Sequence, residues 1–207
     1  EKTQRYICQR AGEGLAVDGH LQERAWTRVL RSPRFGDHSG HRSLFDTRAA
    51  MLWDDDHLYV GFWLEDRDVR SAQEEASPLV RQDNNVGGFI VGQGAYYELA
   101  VNPLGATSEK FYIWKWAYQR GGRYDVPEFD LAVPGPEVLG GGSRSDFRLM
   151  CWAFSHWRFP GLQVEVQVDG TLNKRDDIDQ GWSVELAFPW EGLKRLADQQ
   201  NLPPAAG

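Results

Sequence analysis

Three tryptophans and three polar side chains carry the chemistry this chain offers first. Trp116, Trp152 and Trp157 border a long Gly- and Pro-rich stretch, and Asn84, Asn85 and Glu98 flank or lie within a β-prone run. Large flat rings pack against the apolar C–H faces of a pyranose. Amide and carboxylate groups satisfy its ring-edge hydroxyls. The combination therefore points to sugar held by stacking plus edge hydrogen bonds. Tyr112, Trp114, Trp116 and Tyr118 recur at every second position. If one strand runs from Lys110 to Tyr118 they share a face. That face is either a binding ladder or the inner wall of the fold.

Acidic turns offer a second chemistry. Asp176, Asp177 and Asp179 crowd one turn, and Asp54, Asp55 and Asp56 another. Calcium takes six to eight oxygens from several carboxylates and carbonyls, so Asp176, Asp177 and Asp179 form the candidate metal turn. This is not an EF-hand, because Phe188 stands where the closing Glu belongs. Solvated turn carboxylates are the competing reading.

Catalytic sets are thin. Glycoside hydrolysis needs two carboxylates on either side of the bond. Glu98 and Glu185 are the pair in strands, with nothing in their spacing to bring them together. No Gly-X-Ser-X-Gly elbow, His-Glu-X-X-His helix or Walker loop occurs. The five histidines are scattered, with His38 and His41 in one polar loop. The expectation is a protein that is not an enzyme and requires no cofactor, with calcium as an optional ligand.

The elements that must position these groups read as β. Arg48–Trp53 and Leu58–Glu65 form a hairpin across the acidic turn. Val86–Val91 and Tyr96–Val101 form another around Gly92-Gln93-Gly94. Asn102-Pro103-Leu104-Gly105 has the composition of a type I turn. Leu162, Val164, Val166 and Val168 alternate with polar residues, as do Trp182, Val184, Leu186 and Phe188. A strand is expected at Arg5–Cys8 and another at Phe147–Ser155. Leu21, Ala25, Trp26 and Val29 fall on one helical face, predicting a helix over 21–30. Pro189 opens a second short helix ending at Lys194 and Arg195. Trp26, Trp53, Trp182 and Trp190 are assigned to the core. The fold expected is a single all-β domain over 1–207, a two-sheet antiparallel β-sandwich, jelly-roll-like, with one or two short helices.

With 207 residues, 41% hydrophobic and 26% charged, the chain can bury a core without staples. A net charge of −7 disfavours a phosphate backbone, so no nucleic-acid partner is expected. No apolar run reaches the ~20 residues of a membrane helix, so no membrane partner is expected. Cys8 and Cys151 are compatible with one disulfide or two free thiols. The start at Glu1 reads as a mature secreted form or a piece of a longer protein, and in the second case the other domains of a larger enzyme are the expected partners.

The segments Val17-Asp18-Gly19 with Trp26, Trp53 to Gly61, Tyr96 to Gly105, Val168 to Asn173 and Gly181 to Trp190 together resemble the family 9 carbohydrate-binding modules, a branch of the DOMON-like β-sandwiches. The resemblance runs from about Tyr6 to Leu193. It implies a sandwich that binds oligo- or polysaccharide outside the cell or in the periplasm, in the service of polysaccharide degradation, often with structural calcium. Some members of the wider class bind haem instead, for which Met51 and Met150 are the only methionines. Gly87 stands where the family carries a Glu, and Ala100 where it carries an Arg; Asn102 matches. These departures favour a second reading, a structural or interaction domain with an eroded sugar site.

Overall fold

The computed structural model describes residues 5–12, 14–36, 39–132, 137–139, 150–197 and 202–203. It is an all-β sandwich of two five-stranded sheets. The first sheet runs β1 (Gln9–Arg10), β2 (Thr47–Trp53), β3 (His57–Glu65), β10 (Gly181–Pro189), β9 (Gln163–Asp169). The second runs β4 (Val86–Val91), β5 (Ala95–Val101), β6 (Thr107–Trp114), β8 (Cys151–Phe154), β7 (Glu137–Leu139). All neighbours are antiparallel except β1 and β2.

Alternation decides which side each strand buries. Phe62, Val184 and Val166 are in register across β3, β10 and β9, and all three join the main core. Tyr97, Leu99, Phe111 and Ile113 answer from β5 and β6. Trp182 and Trp190 are buried in this core and Trp53 packs partly against it. Trp26 belongs to a second cluster on the outer side of the first sheet, where the N-terminal segment lies against β2, β3 and β10.

The local structure departs from expectation in five elements. Helix α1 covers only Arg24–Arg28, because Leu21 takes a φ of 51° and turns its side chain into the sheet. Gly61 makes room there, since a Cβ would meet Leu21 Cδ2 at 3.0 Å and the Trp26 ring at 3.1 Å. The first strand is Gln9–Arg10 rather than Arg5–Cys8. Strand β6 ends at Trp114, where Ala117 N and Tyr118 N both turn back to the Trp114 carbonyl. The ladder is therefore cut after Trp114, and Tyr112 and Trp114 lie on the outer face of the second sheet, not its inner wall. Strand β8 covers Cys151–Phe154, and 147–149 lie outside the described residues, as does His38. Helix α2 is Trp190–Leu193. Both cysteines are free thiols. Among the described residues no helix is long and apolar enough to cross a membrane.

Candidate functional site

A roomy depression lies on the outer face of the first sheet, beside the N-terminal segment. It is a groove of about 620 Å³, within the range typical of small-ligand sites. Strand alternation supplies its floor. The positions that point away from the core are Trp63 and Glu65 on β3, Ser183 on β10, and Gln167 and Asp169 on β9. Its walls come from Arg48 on β2, Asp46 just before it, Arg31 after α1, and His20 and Gln22 in the N-terminal segment. Gly181 shapes one end. Its φ is 143°, and a Cβ there would sit 1.9 Å from the Leu64 carbonyl oxygen, so no other residue fits without displacement.

The groove is polar with one aromatic plate. Trp63 meets Trp26 edge to face at 5.9 Å, and the Arg31 guanidinium lies 3.8 Å from the Trp63 ring centroid, a stacked cation–π contact. Burial and the neighbouring Arg48 draw Arg31 below its ordinary value. Arg48 grips Asp46 with Nε and Nη2 at 3.1 Å each, and this hydrogen bonding holds the Asp46 carboxyl below its ordinary value. Ser183 Oγ donates to the Gly19 carbonyl at 2.6 Å, tying the wall to the floor. The side-chain amides of Gln22 and Gln180 have no hydrogen-bond partner among the described residues. Free amides, a carboxylate and a guanidinium around an indole can bind a ligand rich in hydroxyls.

A smaller depression of about 280 Å³ opens beside the groove and shares Leu64, Glu65 and Trp182 with it. Asn84 and Asn85 line it. Asn84 Oδ1 accepts from Arg70 N at 2.9 Å, and Asn85 Nδ2 donates to the Asp83 carbonyl at 2.8 Å. Of the six sugar-binding candidates, these two alone reach the neighbourhood of the groove.

The other four lie elsewhere. Trp116 is 56% exposed in the turn after β6, against the Gly94 hairpin tip. Trp152 points inward beside Ile113, partly buried, with Lys115 Nζ 4.9 Å from its ring. Trp157 is sealed in an aromatic cluster, 4.8 Å from Phe111 and 5.5 Å from Tyr97. It serves the core and offers no open ring face. Glu98 lies on the outer face of the second sheet, accepting from Tyr112 Oη at 2.5 Å and paired with Arg81 at 2.9 Å. Tyr96 and Tyr112 stack on each other at 4.3 Å, and Tyr112 and Ala153 are buried, so this face is no flat open ladder.

The carboxylate expectations also sort differently. Glu98 and Glu185 stand on the outer faces of opposite sheets and share no cavity. Asp176, Asp177 and Asp179 do not converge. Asp179 accepts from Val69 N at 2.8 Å and Thr171 N at 2.7 Å, which hold its carboxyl below the ordinary value. Asp177 takes Thr171 Oγ1 and the Lys174 ammonium, and Asp176 is exposed. Asp54 is spent on its own turn, accepting from Asp56 N, His57 N and Tyr59 Oη at 2.8 Å each. Met51 and Met150 sit at different sheets, on β2 and just before β8.

Trp63, Arg31, Gln167, Gln180 and Ser183 were not singled out by sequence. A signal existed. In Leu58–Glu65 the apolar phase is Leu58, Val60, Phe62 and Leu64, so Trp63 is a tryptophan on the polar phase. No protein-family model matches the chain, and no curated protein is significantly similar to it in sequence.

Proposed function

We propose that the protein is a non-catalytic carbohydrate-binding domain, extracellular or periplasmic, that takes part of an oligo- or polysaccharide into the groove around Trp63. The observation that carries this reading is a groove lined by an indole, a guanidinium and Asp169, in which the exposed side-chain amides of Gln22 and Gln180 are free to bind a ligand. A sugar ring would replace or slide beneath Arg31 on the Trp63 face, with hydroxyls taken by the amides and the carboxylate. The residues named above as departures from the family 9 pattern lie on the second sheet, so this site differs in place from the one that resemblance implies.

Titration calorimetry and tryptophan fluorescence with cello-, xylo- and manno-oligosaccharides test the reading. Binding with heat and a fluorescence change is expected, lost in Gln180→Ala and Trp63→Ala and kept in Glu98→Ala and Trp116→Ala. No heat and no fluorescence change across the panel sinks it.

A second reading rests on strand β4. It is a sheet edge without a charged side chain, and Phe89 and Val91 on it are 63% and 76% exposed. Uncharged, apolar edges invite pairing with another chain. An interaction domain would show concentration-dependent association by sedimentation, abolished by Phe89→Lys, with no response to any sugar.

A further inference from the structure

We propose that the Trp63 groove selects acidic saccharides, whose ligand unit is a uronate-type pyranose with its carboxylate paired to the Arg31 guanidinium. This rests on the sugar-binding function proposed for the groove and narrows it to one class of sugar. The register of the first sheet sorts the groove into two rows. Arg48, Trp63, Ser183 and Gln167 stand side by side across β2, β3, β10 and β9. Glu65, Gly181 and Asp169 form the next outward row, and Asp46 N donates to Glu65 Oε2 at 3.0 Å beside it. Two residues along the strands separate the rows by about 7 Å.

The first row is the place for an anion. The Arg31 guanidinium lies 3.8 Å from the Trp63 ring centroid, so its planar fork is presented at the aromatic plate. Arg48 is spent on Asp46. Arg31, in contrast, donates no hydrogen bond and pairs with no carboxylate among the described residues. Burial and the nearby Arg48 both disfavour its charge, and Asp46 offsets them only in part. An incoming carboxylate relieves both penalties. A sugar hydroxyl does so less well, because a charge-assisted pair is roughly twice as strong as a neutral hydrogen bond and fits the fork with two parallel bonds. The second row suits the rest of the ring. Asp46, Glu65 and Asp169 accept hydrogen bonds and donate none when ionised. They are therefore matched to ring hydroxyls and repel a second anion. The ligand is oriented by this division, its carboxylate toward Arg31 and its hydroxyls toward the acids. An ammonium sugar would be drawn the opposite way, to the acidic row and away from Arg31.

Calorimetry on the full chain compares tri-galacturonate with galactotriose of the same linkage, and glucuronate-substituted with unsubstituted xylotetraose, beside a glucosamine trimer. The uronate form of each pair is expected to bind about tenfold tighter or more, and added sodium chloride removes most of that advantage. In Arg31→Met the ratio of uronate to neutral affinity falls close to one. Arg31→Lys, which keeps the charge without the fork, retains part of the preference. Trp116→Ala, in the turn after β6, leaves the ratio at the parent value. Arg31 is exposed, so its variants are expected to fold, and the salt response of the parent chain is a readout that needs no variant. Neutral partners that bind as tightly as the uronates overturn the inference and leave the sugar-binding function standing. Binding of the glucosamine trimer above both neutral oligomers overturns it too, in favour of the acidic row. A uronate preference that survives Arg31→Met overturns the role of Arg31. No heat with any of the sugars, neutral or acidic, removes the inference and the function it rests on together.

Discussion

Trp26 donates its indole N–H to the carboxylate of Glu185 at 2.8 Å, joining residues 159 positions apart. The contact holds the N-terminal segment onto β10 and closes the second core. Trp26→Phe keeps most of the ring volume and removes the donor. An acceptor left short of its partner in a buried site costs about 1–3 kcal/mol, to be read from urea unfolding at neutral pH. Burial already raises the Glu185 pKa above its ordinary value, with the three donors pulling it back and Glu23 adding to the rise. Loss of the indole raises it further. A raised folded pKa means that stability is present below the unfolded value and lost as pH rises through the folded one. The deficit of Trp26→Phe is therefore larger at pH 7 than near pH 4. Equal deficits at both values would show that the carboxylate is not involved.

Gly181 and Gly88 provide a matched pair of glycine substitutions. At Gly181 an added methyl meets the Leu64 carbonyl at 1.9 Å with φ at 143°, whereas at Gly88 nothing lies within 4 Å. Gly181→Ala should cost more than about 2 kcal/mol and disturb the groove end. Gly88→Ala should stay within about 0.5 kcal/mol of the parent. Thermal unfolding of the two variants side by side checks the pair, and equal midpoints would contradict the close approach.

The sandwich was legible because its signals are local and repeated. The period-two runs at Leu162–Val168 and Trp182–Phe188 name their inward faces, and the Gly92–Gly94 hairpin and the Asn102 turn stand where their turn residues require. Gly105 N meets the Asn102 carbonyl at 2.9 Å, as a type I turn demands. The site was less legible, for two physical reasons. Trp157 and Trp152 sit near an irregular stretch in sequence, but hydrophobic burial draws one wholly and the other partly into the core. The groove is built where a helix-like pattern at 21–30 breaks. A single positive φ at Leu21 sends His20 and Gln22 to the groove while Leu21 itself anchors in the second cluster. Nothing in spacing announces that φ. Trp63 was within reach, since a tryptophan on the polar phase of a strand needs a surface partner, and Arg31 is that partner.

The two thiols should be slow to react. Burial pushes the Cys8 thiol up to about 11 and raises Cys151 as well, with a hydrogen bond to Tyr96 opposing the second shift. The thiolate is the reactive form, so at pH 7–8 little of it is present. Ellman's reagent should label the folded protein slowly and find both thiols after denaturation without reductant. No reactive thiol in the denatured, unreduced chain would reveal a bridge between them.

Asp83 gives the clearest acid-sensitive position. Its Oδ2 accepts from Ser71 Oγ at 2.9 Å, Gln73 N at 3.0 Å and Asn102 Nδ2 at 2.9 Å, and Asn102 is itself fully buried. Partial burial pushes the Asp83 carboxyl up, but the donors, Gln73 first and then Asn102, outweigh it and hold the pKa below its ordinary value. A depressed folded pKa contributes stability above the unfolded value, near 3.9, and that contribution is lost as pH falls through the folded one. Asp83→Asn keeps the shape and removes the charge. It should cost about 1–3 kcal/mol at neutral pH, and the gap to the parent should narrow once the pH drops below about 4. Denaturant midpoints taken from pH 7 to pH 3 measure the gap. A gap that stays constant over that range means that geometry, and not the ionised carboxylate, holds Asn102 and the residues 71–73 together.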